Sequence, residues 1–424
     1  MKIISVFDGM ACGMLAFQAA GIQVSRYVAF EIEKYAIQTS SHNFPMIEHR
    51  GDVFQADFTE FRGFDFLIGG SPCTYWSIAQ KNNRETEASG MGWELFCQYV
   101  RALHEAQPMY FIYENNKSMS KAIRESITQA FGFEPICINS ALVSAQNRQR
   151  LYWVGKQNTD GTYSKVKVDQ PEDRGILLRD VLDTGCDLTR KEKAYTLTAS
   201  YNGAVAWNTI ERNQRNMVAE PVAINTTADG DKARTLMAGY YKYGTATLIT
   251  NEGFTGGTTA VAEPCRVGTW PNNAKNQAHD SQQYRIYSAD GKGVTLCGNG
   301  GGMGAKTGLY AIPIEFDGEI PTKAVSCADG KEYTVYEVKN GQITIKDKQY
   351  PIKLVDGLYI IRKLTVTECK RLQTVPEWYE FPVSNSQAYK MLGNGWTVEV
   401  IAHLIKATQA NELSDEQLNL FAII

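Results

Sequence analysis

No uninterrupted apolar run of about 18 residues, the length a membrane-crossing helix needs, occurs anywhere in the 424-residue sequence. The opening Met1–Met14 also lacks a secretory leader's order of basic, apolar and small residues. An excess of one charge is missing too. Forty-three basic against 46 acidic side chains leave a net charge of −3, which excludes a globally basic polyanion binder and leaves only local patches and shape for such contacts. The nine cysteines, an odd number without a Cys-x-x-Cys pair, fit neither a disulfide framework nor a zinc site, so no metal is expected. With 43% hydrophobic and 21% charged residues, the chain is globular in composition and long enough for two or three domains. A reduced, cytoplasmic, multidomain protein is expected.

What is present begins with alternation. Lys2–Phe7 reads as a buried strand, followed by a glycine-bearing turn and a helix through Ala20. Arg26–Phe30 is a second strand, Lys34–Ser41 a second helix, and Phe64–Ile68, Met109–Tyr113, Ile136–Val143 and Leu151–Val154 are further apolar runs. Strands alternating with helices predict an α/β domain with a doubly wound, mostly parallel sheet, whose ligands gather at the carboxyl ends of the strands.

From Gln157 to about residue 360, Gly, Asn, Thr, Asp and Tyr dominate and helical periodicity fades. Lys193–Tyr201 is echoed by Lys232–Tyr240 and more weakly by Gly293–Gly298, pieces of hairpin rather than a solenoid. Asn340-Gly341 between alternating runs is a strong hairpin signal. The α/β texture returns near Arg362, with helices expected over Thr365–Gln373 and Trp396–Thr408 around a Leu392–Gly395 turn. A β-rich domain is therefore inserted into one sheet domain completed by both ends of the chain. The division is 1–156, 157–360 and 361–410, with a polar tail over 411–424.

The strand ends carry the chemistry. Asp8-Gly9 and Gly13 follow the first strand without the Gly-x-Gly-x-x-Gly spacing of a dinucleotide site. Glu31 closes the second strand, where a carboxylate suits ribose hydroxyls, and Asp52-Val53 follows a plausible third. This order suggests a nucleoside cofactor without a pyrophosphate. Pro72 presents Cys73 at a fourth strand end, in the manner of a nucleophile. Glu114 closes the next apolar strand, and Gln146, Arg148 and Arg150 share one face of an extended segment. Three polar groups on a face expected to be buried are costly unless they have partners, which argues for a site.

This ordered set resembles the DNA cytosine-5 methyltransferase family. The matching pieces are Phe7-Asp8-Gly9 with Gly13, Glu31, Gly51-Asp52, Pro72-Cys73, Glu114-Asn115, Gln146-x-Arg148-x-Arg150, Arg362 through Gln373, and Gly393-Asn394. Asn116 stands where the family has valine. Gly395-Trp396 is similar to the ending of that motif in the de novo methyltransferases of animals. The resemblance implies a Rossmann-like methyltransferase sheet with an inserted target-recognition domain, acting on duplex DNA with S-adenosyl-L-methionine. It implies Cys73 as nucleophile at C6 of a flipped cytosine and Glu114 at N3. Arg150, with Arg148 and Gln146, holds the base, and Phe7, Asp8, Gly9, Gly13, Glu31, Asp52, Val53, Asn394 and Trp396 form the cofactor pocket. The rivals are the tRNA-modifying branch, whose Cys-Phe-Thr signature is absent here, and a catalytically inactive DNA-binding relative.

Three further expectations concern the remainder. Arg212, Arg215, Arg234, Lys242 and Arg285, among Tyr, Asn and Gln, are candidates for phosphate and base contacts. Gly300–Thr307 imitates a phosphate loop but has Ala305 where glycine must precede the lysine. Gln417, Leu418, Leu420 and Phe421 resemble a short peptide that docks on the bacterial sliding clamp.

Overall fold

The computed structural model describes residues 1–77, 84–183, 194–195, 217–221, 266–269, 285–287, 322–326, 328–345, 348–351 and 356–421. The first sheet contains β1 (Lys2–Val6), β2 (Arg26–Phe30), β3 (Glu48–His49), β4 (Phe66–Gly69), β5 (Tyr110–Asn116), β6 (Ile136–Asn139), β8 (Gln149–Gln157) and β9 (Tyr163–Lys165). Its order is β3-β2-β1-β4-β5-β8-β6, with β9 paired to β8. The strands from β3 through β5 are mutually parallel, and β8 runs antiparallel to both β5 and β6. The doubly wound, mostly parallel sheet inferred from alternation is thus the one formed.

Period two explains why these runs are apolar throughout. Ile3, Phe66, Ile68, Tyr110 and Ile112 belong to the core on one face. Ile4, Val6, Leu67, Phe111 and Tyr113 belong to the core on the other. A strand covered on both faces has no polar-out positions. One face is covered by α1 (Cys12–Ala19) and the last helix, α7 (Val398–Phe421). The other is covered by α3 (Gly90–Ala106) and α4 (Lys121–Phe131), which follow α2 (Lys34–Asn43) in the chain. An aromatic stack of Phe96, Tyr99, Phe111, Tyr113, Phe131 and Trp153 fills that second core.

After the insert, α5 (Val366–Leu372), α6 (Asn385–Asn394) and α7 return the chain to the sheet. Thr365 and Glu368 form a reciprocal capping box at the start of α5. The entry and exit of the insert are tied together at this cap. Thr365 Oγ1 donates to Asp183 Oδ2 at 3.0 Å, Arg371 Nη1 to Asp183 Oδ1 at 2.7 Å, and Asp183 N to Glu368 Oε1 at 3.0 Å. The expected boundary at Gln157 falls at the end of β8, and the following β9 still belongs to the first sheet.

A second, antiparallel sheet has strand order 217–221, 357–363, 332–339, 342–345, 348–351, with 323–325 also paired to 332–339. Asn340 and Gly341 have φ of 52° and 67°, the left-handed pair a tight hairpin requires. The short β7 (Gln146–Asn147) pairs with Ala194–Tyr195, so the start of the insert reaches the edge of the first domain. The rest of the repeats, Gly300–Thr307, Arg212, Arg215, Arg234 and Lys242 lie outside the described residues, and Arg285 is described in its backbone alone.

Two elements differ from expectation. Gly393 and Asn394 end a helix, α6, instead of lying in an isolated turn. The segment expected as a polar tail beyond Ala410 is helical to Phe421. Gln417, Leu418, Leu420 and Phe421, the residues of the expected clamp-docking peptide, lie on this helix. Among the described residues, no helix is long and apolar enough to cross a membrane.

Candidate active site

The carboxyl ends of β1, β2 and β3 form the first half of the site. The loop after β1 turns through three left-handed residues, Phe7, Gly9 and Ala11, with φ of 59°, 60° and 60°. Two of these are not glycine, a strain concentrated where a ligand is expected. Gly9 N donates to Glu31 Oε2 at 2.8 Å, while Glu31 Oε1 accepts from Ile32 N and Glu33 N, both at 2.8 Å. The acid at the end of β2 thus fixes the loop after β1 and keeps acceptor capacity on Oε2. Asp52 caps the turn Val53–Gln55 through Phe54 N, and Val53 is buried beside it. Gly13, in the first turn of α1, has no room for a side chain: a Cβ there would lie 2.3 Å from Ile68 Cδ1 and 2.6 Å from Tyr27 Oη.

Asp8 is the unusual member. Its Oδ1 accepts from Ser5 Oγ and Tyr27 Oη, each at 2.6 Å, while its buried Oδ2 has no hydrogen-bond partner. Burial pushes this carboxyl up from 3.8 to about 7, although the Ser5 and Tyr27 hydroxyls pull the other way. An orphaned carboxylate oxygen beside a strained loop is what a cationic nucleoside ligand would satisfy, and the residues present fit such a group. Ile32 and Phe54, exposed by 74% and 46%, flank the two acids. The sequence reading passed over them, although an exposed apolar residue one or two positions after a strand-end acid is a readable signal.

Asp8 supplies a pH prediction. Its proton is held more tightly folded than unfolded, so the stability it contributes is complete below about pH 3.8 and lost as pH rises through about 7. The shift corresponds to at most ~4 kcal/mol. Asp8→Asn keeps an acceptor for both hydroxyls and removes the ionisation. Its melting temperature should exceed that of the natural chain at pH 8 and change less between pH 5 and pH 8, with weaker cofactor binding. Equal pH dependence of the two melting curves would exclude Asp8 as the titrating group.

The ends of β4 and β5 form the second half. Parallel pairing sets Gly69 beside Tyr113, which brings the Gly70–Cys73 segment against Glu114. Ser71 Oγ and Tyr113 Oη are 2.7 Å apart, and Asn115 Nδ2 donates to Ser71 O at 3.2 Å. A Cβ on Gly70 would sit 2.7 Å from the Glu114 carbonyl and 2.9 Å from its Oε2, so the segment leading to Cys73 lies directly against the acid. Cys73 begins a single 3-10 turn, Cys73–Tyr75, and is described in its backbone. Beyond it Trp76, fully buried, donates its indole N–H to Glu85 Oε2 at 3.0 Å, and Glu85 Oε1 accepts from Gly92 N at 3.2 Å. Trp76 and Glu85 thereby anchor this segment to the start of α3, a role not read from the sequence. Burial raises the Cys12 thiol to about 12, which makes it a poor nucleophile, and partial desolvation raises Cys97 and Cys137 in the same direction.

Of the three polar residues on one face, Arg150 reaches Glu114, with Nε 3.0 Å from Oε1. Gln146 and Arg148 are buried and support a different part of the site. Arg148 donates to the carbonyls of Gly393 at 3.2 Å and Gly395 at 2.8 Å. Gln146 Nε2 donates to Leu372 O at 2.9 Å and Gln373 Oε1 at 3.1 Å. Gln373, passed over as a hub, also accepts from Thr397 Oγ1 at 2.8 Å and donates to Leu392 O at 2.6 Å. This web fixes the segment carrying Asn394, which is exposed, and Trp396, which is half-buried. Trp396 Nε1 donates to Glu114 Oε2 at 3.0 Å. The sequence reading placed Trp396 in the cofactor pocket. Its indole N–H serves the acid at the end of β5.

The chain is similar to known methyltransferases. The family model for C-5 cytosine-specific DNA methylase matches residues 1–410. The orphan methyltransferase M.Rho11sI of Bacillus phage rho11s is 26% identical over 98% of this chain and 99% of its own length. The type II methyltransferase M1.ScrFI of Lactococcus lactis subsp. cremoris is 26% identical over 68% of this chain and 73% of its own. In fold, a substituted form of DNMT2 from Spodoptera frugiperda aligns over 96% of this chain and 98% of its own, with a TM-score of 0.50 at 14% identity. With its motifs at successive strand ends and the family matched across nearly the whole length, the chain belongs to the C-5 cytosine-specific DNA methylase family and is a methyltransferase.

Proposed function

We propose that this chain transfers a methyl group from S-adenosyl-L-methionine to C5 of cytosine within a specific duplex DNA sequence. The observation that carries the reading is Glu114, clamped by Arg150 on one oxygen and Trp396 on the other, against the backbone that leads to Cys73.

C5 of cytosine is a weak nucleophile and is stacked inside a duplex, so the base must be swung out and activated covalently. The Cys73 thiolate adds to C6, and the electrons of the C5–C6 double bond make C5 the nucleophilic carbon of an enamine. Glu114 holds a proton at N3 as negative charge builds on the ring. Arg150 anchors the base at O2 and aligns Glu114. When bound, S-adenosyl-L-methionine supplies an electrophilic methyl group on a positively charged sulfur. Phe7, Asp8, Gly9, Gly13, Glu31, Asp52, Val53 and Asn394 would hold it, with Trp396 at the border between cofactor and base. Loss of the C5 proton and departure of the Cys73 sulfur then restore the aromatic ring.

The inserted β-rich domain is proposed to read the DNA. With near-neutral overall charge, it depends on selected Arg and Lys contacts to phosphates for affinity and on base-edge hydrogen bonds for sequence. Expressing the chain alone in a methylation-free host and sequencing the modified cytosines tests activity, base and recognition site together. One recurrent motif carrying 5-methylcytosine is expected; an unmodified genome overturns the reading.

A further inference from the structure

Trp396 lies 282 positions after Glu114 and meets it through a single directed contact, the indole N–H to Oε2 at 3.0 Å. Arg150 Nε holds the other oxygen at 3.0 Å. With a donor on each oxygen, the carboxylate plane cannot turn about its last side-chain bond without losing one of them. On the Oε2 side Gly70 lies close enough that a Cβ there would sit 2.9 Å from Oε2.

Trp396 is itself held firmly. Arg148 and Gln373 bind the carbonyls on either side of Asn394, and Thr397 is bonded to Gln373. Gly395, the residue before Trp396, packs so closely on the start of α1 that a Cβ there would lie 3.2 Å from Cys12 Sγ. The Gly395-Trp396 segment therefore lies between the start of α1 and the acid at the end of β5.

We infer that Trp396 is a positioning residue for Glu114, its indole N–H fixing the carboxylate toward the cytosine ring, in addition to any surface it offers the cofactor. This inference rests on the proposed cytosine chemistry of Glu114. A hydrogen bond to an ionised acceptor is about twice as strong as a neutral one, and orientation of a reacting group carries large rate effects.

The test is Trp396→Phe, which keeps an aromatic ring and removes the N–H. Single-turnover methyl transfer to duplex DNA at saturating cofactor should fall about 10- to 100-fold. The cofactor Kd from calorimetry should stay within about threefold of the natural chain's, the fold change that separates an N–H role from a lost pocket wall. In a Glu114→Gln background the same substitution should cost less than about twofold more, because its route of action is already gone. A rate within twofold of the natural chain's overturns the inference. So does a loss confined to cofactor Kd, or a full loss added on top of Glu114→Gln. Trp396→Met, which has no side-chain donor, replaces the phenylalanine variant if the latter does not fold. Failure of the natural chain to methylate DNA would instead overturn the underlying reading, so the two failures are distinguishable.

Discussion

Cys73→Ser should fold normally, bind duplex DNA and cofactor, and lose methyl transfer by about 10³- to 10⁶-fold, the range seen when a covalent catalyst is removed. The argument is chemical. A few per cent of an ordinary thiol is ionised near neutral pH, and thiolate is a strong nucleophile toward a polarised ring carbon, whereas a serine hydroxyl is neither ionised nor soft. A duplex with 5-fluorocytosine at the target base separates this from a binding defect. Fluorine cannot leave as the C5 proton does, so the natural chain should form a denaturant-resistant adduct and the serine variant none. An adduct of undiminished yield on the serine variant would move the nucleophile elsewhere. Burial already makes Cys12 an unpromising replacement.

Local pattern was enough for some of this structure and useless for other parts. Strands β1, β2, β4 and β5 were legible because a strand buried on both faces must be apolar throughout, and their ends then located Asp8, Glu31, Cys73 and Glu114. The polar face over Gln146, Arg148 and Arg150 was legible as a demand for partners, but the partners were not. Those of Gln146 and Arg148 lie on Leu372, Gln373, Gly393 and Gly395, more than two hundred positions later in the chain. Helix α6 was missed for a related reason. Its sequence is polar, and what defines it is the burial of Ala388, Tyr389, Met391 and Leu392 against the rest of the returning segment. Trp396 shows the same limit, since an aromatic residue after a turn reads equally as a pocket wall or as core, and its N–H acquires a meaning only beside Glu114.

Glu114→Gln should damage both chemistry and stability. Its two oxygens each receive a donor, Arg150 Nε on one and Trp396 Nε1 on the other. Glutamine has one oxygen and one amide NH₂, so whichever way it turns, an N–H faces an N–H. One buried donor is left unpaired, at a cost of about 1–3 kcal/mol, and Arg150, with a side chain only 7% exposed, loses its counter-charge. Removing one partner of a buried ion pair typically costs ~3–5 kcal/mol, so a clear fall in melting temperature is expected. Methyl transfer should fall about 10²- to 10⁴-fold through loss of the group at N3. The two effects can be separated. Replacing Arg150 with methionine in the glutamine background removes the stranded charge, and exchanging a whole buried pair for apolar or neutral groups is often nearly neutral for stability. The double variant should therefore recover much of the lost melting temperature and none of the activity. Recovery of both would reduce Glu114 to a partner for Arg150. In the double variant the glutamine can turn its oxygen to Trp396 Nε1, so recovery of neither would show that the lost stability does not come from the stranded Arg150 charge.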